Sequence, residues 1–316
     1  MRPTVSICVR AWRRDSLPAA IESALAQTYS DLEVVVSDDR GDLEDVALAT
    51  GDPRVRYYRN EEPLGTAGNA RAALGRARGA YLGILGDDDR LLPDYVETVM
   101  SRFEDDPELG IVFAGVYYDY DGRLVRRPTP LAAGRYDAFL PDLIRHRPVE
   151  ISVTMMRREL WEQGERCDPL REPMVADLHM WIRAALAGWP FHYVDEPLAV
   201  VSVHAGQTSA QHDWRGRIVE LWEHFRFDDP ECERLRKQRL AEALVSVALS
   251  HVAAGRTGPA RAALARAAEA DPTVERARRL SLQALAAAPF LGPLAYRAWT
   301  AYRVLRPYRP WFLKAA

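Results

Sequence analysis

Cysteine is scarce: Cys8, Cys167 and Cys232 are the three in 316 residues. They are odd in number and far apart, which excludes a disulfide framework and a paired-cysteine zinc site and fits a reducing compartment. No apolar stretch reaches the ~18 uninterrupted residues that a membrane-spanning helix needs. No secretory leader is recognisable, because Arg2 and Pro3 run straight into the strand-like Val5-Ser6-Ile7-Cys8-Val9. These absences lead us to expect a cytoplasmic chain. A large charge excess is missing too, with 42 basic and 45 acidic residues. The remaining composition, 48% hydrophobic and 28% charged, is that of a globular protein with one large domain or two smaller ones.

The near-balanced total hides a break. Residues 231–316 hold 15 Lys and Arg against 6 Asp and Glu, while residues 1–230 hold 27 against 39. The turn-like Phe227-Asp228-Asp229-Pro230 sits at the break, so we expect domains at 1–230 and 231–316. An acidic first part excludes a general polyanion binder, and no nucleic-acid partner is expected.

Short β-rich runs over Val5–Val9, Leu32–Ser37, Val55–Tyr58, Ala80–Leu85 and Ile111–Tyr118 alternate with helix-patterned stretches. In Leu17–Ala26 the apolar Leu17, Ile21, Ala24 and Leu25 recur at helical spacing behind Asp15 or Ser16 as a cap. Ala67–Arg78 and Asp94–Phe103 read likewise. The alternation predicts an α/β fold, a mostly parallel sheet with helices on both faces, whose ligands bind beyond the carboxyl ends of the strands. Carboxylates gather there: Asp38-Asp39 after the second run and Asp87-Asp88-Asp89 after the fourth. Helix capping accounts for one acid at each place. A hard divalent ion shared with a substrate phosphate accounts better for several in a row.

Val5-Ser6-Ile7, the run Ala26-Gln27-Thr28-Tyr29 to Ser37-Asp38-Asp39, Gly65 to Arg71, Gly79-Ala80-Tyr81-Leu82, and Gly86-Asp87-Asp88-Asp89 before Pro93-Asp94 resemble family 2 glycosyltransferases of the GT-A fold. So do Ala176-Asp177-Leu178-His179-Met180-Trp181, Asp195-Glu196-Pro197-Leu198-Ala199 and Val203-His204, in the family's order over residues 4–210. The resemblance implies inverting transfer of a sugar from a nucleotide-diphosphate donor, a UDP-sugar by default, to a sugar, lipid-linked or small-molecule acceptor in polysaccharide or glycoconjugate synthesis. It implies Asp177 as the catalytic base and Asp39 on the nucleobase. Arg71 would lie near the ribose and diphosphate, and Asp87 at the ribose or the ion. Asp88 and His204 would face Mg²⁺ or Mn²⁺. Trp12, where the family has Tyr, would stack on the base or pack over the strand end.

The chain departs from the family pattern in three places. Gly86 replaces the first acid of Asp-x-Asp-Asp, Ala176 replaces Glu beside the base, and Arg10-Ala11-Trp12-Arg13 replaces Pro-Thr-Tyr-Asn. A non-catalytic sugar-nucleotide-binding scaffold is the competing reading. Nucleotidyl transfer lacks the glycine-rich basic loop it would need. Past residue 230, Leu235–Ala254 and Pro259–Ala270 are helix-patterned around Gly255-Arg256-Thr257-Gly258, with Leu244, Ala248, Ala260, Leu264 and Ala267 spaced as in one tetratricopeptide repeat. The aromatic and basic stretch Pro289–Ala316 suits a peripheral membrane contact, self-association, or an arm on the acidic domain.

Overall fold

A computed structural model describes residues 4–126, 128–165, 176–204 and 215–273. The chain divides into two compact units, Met1–His212 and Asp213–Ala316. The stretch Gly206–Ser209 and the tail Pro289–Ala316 lie outside the described residues.

The first unit is built on a ten-stranded sheet of order β3-β2-β1-β4-β9-β6-β10-β5. Strands β1 (Val5–Ala11), β2 (Leu32–Asp38), β3 (Val55–Arg59) and β4 (Tyr81–Gly86) pair in parallel. They are joined through helices α1 (Leu17–Leu25), α2 (Glu44–Ala47) and α3 (Gly65–Arg76). Every residue of β2 is buried, as expected of a parallel strand covered on both faces. After the two-residue strand β5 (Arg90–Leu91), helix α4 (Tyr95–Asp105) turns Tyr95, Val96, Val99, Met100 and Phe103 inward, one stripe at helical spacing. Strand β6 (Ile111–Tyr120) lies parallel to β10 (Phe191–Ser202).

These elements carry the α/β arrangement that the alternation predicts. Elsewhere the pattern was silent or misleading. The short β9 (Thr154–Arg157) wedges antiparallel between β4 and β6. Strands β7 (Arg123–Arg126) and β8 (Gly134–Tyr136) add antiparallel pairs to β6 and β10, and helices α5 (Leu140–His146), α6 (Arg158–Glu165) and α7 (Ala176–Leu186) follow in chain order. The cap expected from Asp15 or Ser16 is not made. Ser16 holds the N-cap position in helical backbone without a side-chain bond, because the turn already starts at Arg13, whose carbonyl accepts from Leu17 N at 3.3 Å.

Register brings the carboxyl ends of these strands together. Arg10 stands opposite Ser37 on one side and Gly86 on the other, so Trp12, Asp39 and Asp87 leave the sheet at one edge. Strand β10 reaches that edge after a bulge around Pro197, which a proline tolerates because no ladder bond is required of it there.

The second unit contains α8 (Arg215–His224), α9 (Pro230–Ala253) and α10 (Thr257–Ala270). Asp229 caps α9 by accepting from Cys232 N at 2.7 Å, with Pro230 in the first turn. Gly255, at φ +71°, makes the turn to α10. Thus the helical pair expected past residue 230 is formed. The unit also begins earlier than the charge break, because α8 buries Ile218, Val219, Leu221 and Trp222 and Arg236 of α9 donates to the Trp222 carbonyl at 2.7 Å. Among the described residues, no helix is long and apolar enough to cross a membrane.

Candidate active site

Asp38 and Asp39 end β2, and backbone amides claim both. Asp38 Oδ1 accepts from the amides of Arg40 (2.8 Å) and Gly41 (2.7 Å), and Oδ2 from the Leu43 amide (3.0 Å) and the Tyr57 hydroxyl (2.7 Å). Burial works against its charge, but these donors hold the carboxyl below its ordinary range. Asp39 Oδ1 accepts from Leu64 N (2.7 Å) and Asn60 Nδ2 (2.9 Å), and Oδ2 from Gly65 N (2.8 Å). Asp39 therefore holds the entry to α3, where Gly65 turns at φ +73°, a conformation open to glycine. Buried Asn69 extends the network, accepting from Asn60 at 3.1 Å and donating to the Ala11 carbonyl at 3.2 Å. Arg71, two residues on, is half-buried on the same helix. Trp12 leaves β1 next to Asp39, whose amide donates to Ala11 O at 3.1 Å, and its side chain is 51% exposed. That exposure leaves an aromatic face available rather than spent in the core.

The second acidic cluster follows β4. Asp87 is buried and turned toward the β1 loop, where its Oδ2 accepts from Trp12 N at 2.6 Å and from Arg13 N. Burial pushes its carboxyl up, while those two amides act the other way. Arg13 Nη1 lies 3.0 Å from Asp87 Oδ1 and 3.3 Å from Asp88 Oδ2. His204 Nε2 lies 3.0 Å from that same Asp88 oxygen, so residues 116 apart in sequence meet here. Asp89 points the other way, buried, with Ser152 Oγ donating to Oδ2 at 2.5 Å and Ser202 N to Oδ1 at 3.0 Å. Burial first, then the charge of Asp88, lifts Asp89 to about 6. It does not cap the next helix; it fastens the motif to β10 and to the 3-10 turn Ile151–Val153.

Gly86 now has a physical reason. A Cβ there would come 2.9 Å from Asp89 Oδ2 and 3.0 Å from Asp88 Oδ1, so a side chain would displace the carboxylates that follow it.

Asp177 opens α7 and accepts from Leu178 N at 2.8 Å. Burial raises its carboxyl, and the Leu178 amide and the charge of Arg10 counter that. Arg10 acts in the same sense on Asp89, so this β1 side chain lies within electrostatic reach of both acids.

Asn60, Asn69, Ser152, Ser202 and the direct grip of Arg13 escaped the sequence reading. Asn60 was within reach, since it directly follows β3 at the ligand-binding edge; the serines had no such signal. Among the described residues, no group of three or more His, Cys, Asp or Glu is placed to hold a metal. Asp88 and His204 form a pair. A hard ion bound through one or two side chains and completed by substrate phosphate oxygens fits such a pair.

The fold and this edge define a GT-A glycosyltransferase architecture. The description Glycosyl transferase family 2 matches residues 6–163, and the chain belongs to that family. Residues 202–289 match a second description, Bacterial transcriptional activator domain. The succinoglycan biosynthesis protein ExoO of Rhizobium meliloti is 39% identical over 103 residues, 32% of this chain and 30% of that protein. The chain spans about a third of the length of such curated relatives, 36%, 30% and 40% for three of them. Among solved structures, S. aureus TarS 1–349 in complex with UDP-GlcNAc superposes with a TM-score of 0.68 at 15% identity, covering 98% of this chain and 93% of that one. The mannosyltransferase PcManGT of Pyrobaculum calidifontis, in complex with GDP-Man and Mn²⁺, gives 0.55 at 21% identity, covering 96% and 85%. Both share the fold.

Proposed function

We propose that this protein transfers a sugar from a nucleoside-diphosphate sugar, UDP-linked by default, to an acceptor hydroxyl in polysaccharide or glycoconjugate synthesis, with inversion at the anomeric carbon. The observation that carries this reading is the meeting of Asp88 and His204 beside Asp87, Asp39 and the exposed Trp12 at one sheet edge. Membership of family 2 and the donors named for TarS and PcManGT agree with it. The acceptor is a sugar, a lipid-linked sugar or a small molecule, and the reaction belongs at the cytoplasmic side.

Trp12 stacks on the nucleobase, and the remaining acceptor capacity of Asp39 meets its imide. Asp87 and Arg71 face the ribose and diphosphate. Asp88 and His204 would hold Mg²⁺ or Mn²⁺, which when bound offsets the charge developing on the leaving diphosphate. Asp177 takes the proton of the acceptor hydroxyl, whose oxygen forms the new bond to the anomeric carbon. The bond from that carbon to the diphosphate breaks, and its electron pair leaves with the nucleotide, so one displacement inverts the centre.

Asp177→Asn is expected to lower transfer by at least about 100-fold while leaving donor binding intact, measured by product formation and by calorimetry. A base must be unprotonated, so in the wild type transfer falls as pH drops through the Asp177 value. Because burial raises that value, the acid limb lies above the ~3.9 of a free aspartate. Undiminished transfer by Asp177→Asn sinks the assignment.

A further inference from the structure

Arg13 stands on the acid pair in the way a metal ion would. Its Nη1 is 3.0 Å from Asp87 Oδ1 and 3.3 Å from Asp88 Oδ2, the oxygen that also meets His204 Nε2 at 3.0 Å. Its own backbone amide is pinned to Asp87 Oδ2, so the loop after β1 is held against the acids that follow β4. Two carboxylates, Asp87 and Asp88, thus have a resident cation. A divalent ion taking the Asp88 oxygen would bind within about 2.0–2.2 Å of it, with its charge next to that of the guanidinium. Both cannot share the oxygen cheaply, and the ion alone brings nothing to receive the displaced guanidinium. A nucleoside diphosphate does, since its oxygens accept the planar donor fork of arginine.

We propose that Arg13 is a resident counter-cation that couples metal binding to donor binding: it opposes a divalent ion on Asp88 until a nucleoside diphosphate accepts its guanidinium. The proposal rests on the site being one for a nucleotide donor. Arg13 is a positioning residue here, acting through Asp88. Linkage makes the coupling reciprocal, so Mn²⁺ strengthens nucleotide binding by the factor by which nucleotide strengthens Mn²⁺ binding.

The test is binding alone, on the full chain. Mn²⁺ titrations followed by the electron paramagnetic resonance of the free ion, with and without UDP, are compared for wild type, Arg13→Gln and Arg13→Lys. Calorimetry supplies the UDP affinities, and circular dichroism shows that each variant is folded. Arg13→Gln is expected to bind Mn²⁺ roughly tenfold more tightly without nucleotide, and the factor by which UDP strengthens Mn²⁺ binding is expected to shrink comparably. Arg13→Lys, which keeps the charge and loses the fork, is expected to stay near wild type for Mn²⁺ alone and to bind UDP more weakly. Unchanged or weaker Mn²⁺ binding by nucleotide-free Arg13→Gln overturns the proposal. Wild-type protein that binds none of UDP, GDP or dTDP with Mn²⁺ present overturns the donor-site reading instead, and the two failures are read from different titrations.

Discussion

Asp38 and Asp39 carry the same side chain one residue apart, and their hydrogen bonds decide which of them can serve a ligand. A carboxylate offers about four acceptor sites. Asp38 fills its two oxygens with Arg40, Gly41, Leu43 and Tyr57, whereas Asp39 meets Leu64, Gly65 and Asn60 and keeps one site. Counting acids in the sequence cannot tell them apart, because the discriminating donors are backbone amides with no signature of their own. Asp39 is also structural. Asp39→Ala is expected to lower stability by about 2–3 kcal/mol in urea denaturation, since it strips partners from two amides and a buried Asn. Nucleotide binding by that variant must therefore be measured where it is still folded. The site residues taken from the resemblance are brought to one edge for Trp12, Asp39, Asp87, Asp88 and His204. The uncharged supports, Ser152 and Ser202, come from a 3-10 turn and from the end of β10, which no spacing rule connects.

At the scale of elements, the parallel strands were legible because continuous burial writes them as apolar runs. Strand β9 was not: Thr154-Met155-Met156-Arg157 is four residues long and rich in Met, and its pairing depends wholly on β4 and β6 flanking it. Strand β7 is mostly exposed, so no alternation marks it. One polar residue within the buried sheet is a device of its own. Glu33 on β2 accepts from Ser6 Oγ (2.7 Å), Arg56 Nη1 (2.6 Å) and Arg78 N (2.6 Å), stitching β1, β2, β3 and the chain after α3. Burial raises its carboxyl, but these three donors outweigh burial and hold it below its usual value. A lowered native value means that the unfolded chain binds the proton first. The stabilisation is present above the unfolded value of about 4.3 and is lost as pH falls through the native one. Glu33→Gln is expected to lower stability at pH 7 by about 2 kcal/mol and to flatten this acid loss, checked by urea denaturation between pH 3 and 7.

At the scale of the molecule, charge and turn composition point to a division near 230, while packing assigns α8 to the helical unit. The charge break misses this because α8 joins through Trp222, Leu221 and the Arg236 bond to the Trp222 carbonyl, which leave the local charge count unchanged. A chain cut after residue 230 keeps α8 without α9. It is expected to bind more of a hydrophobic dye than either the full chain or a chain ending at 212. Equal dye binding by all three would mean that α8 does not need its partner.

The 116 residues between Asp88 and His204 also set a clock. Chains grow at roughly 5–20 residues per second, so the histidine is made roughly 6–23 seconds after the acid. Strand β10, which carries the chain to His204, lies between β6 and the two-residue β5 and is the last of the three to be synthesised. Until then Asp87 and Asp88 have Arg13 from the first loop and no imidazole. The first unit thus has both acids and their Arg13 partner in hand before the imidazole is made, and the Asp88–His204 pair is completed only by the residues that follow β10.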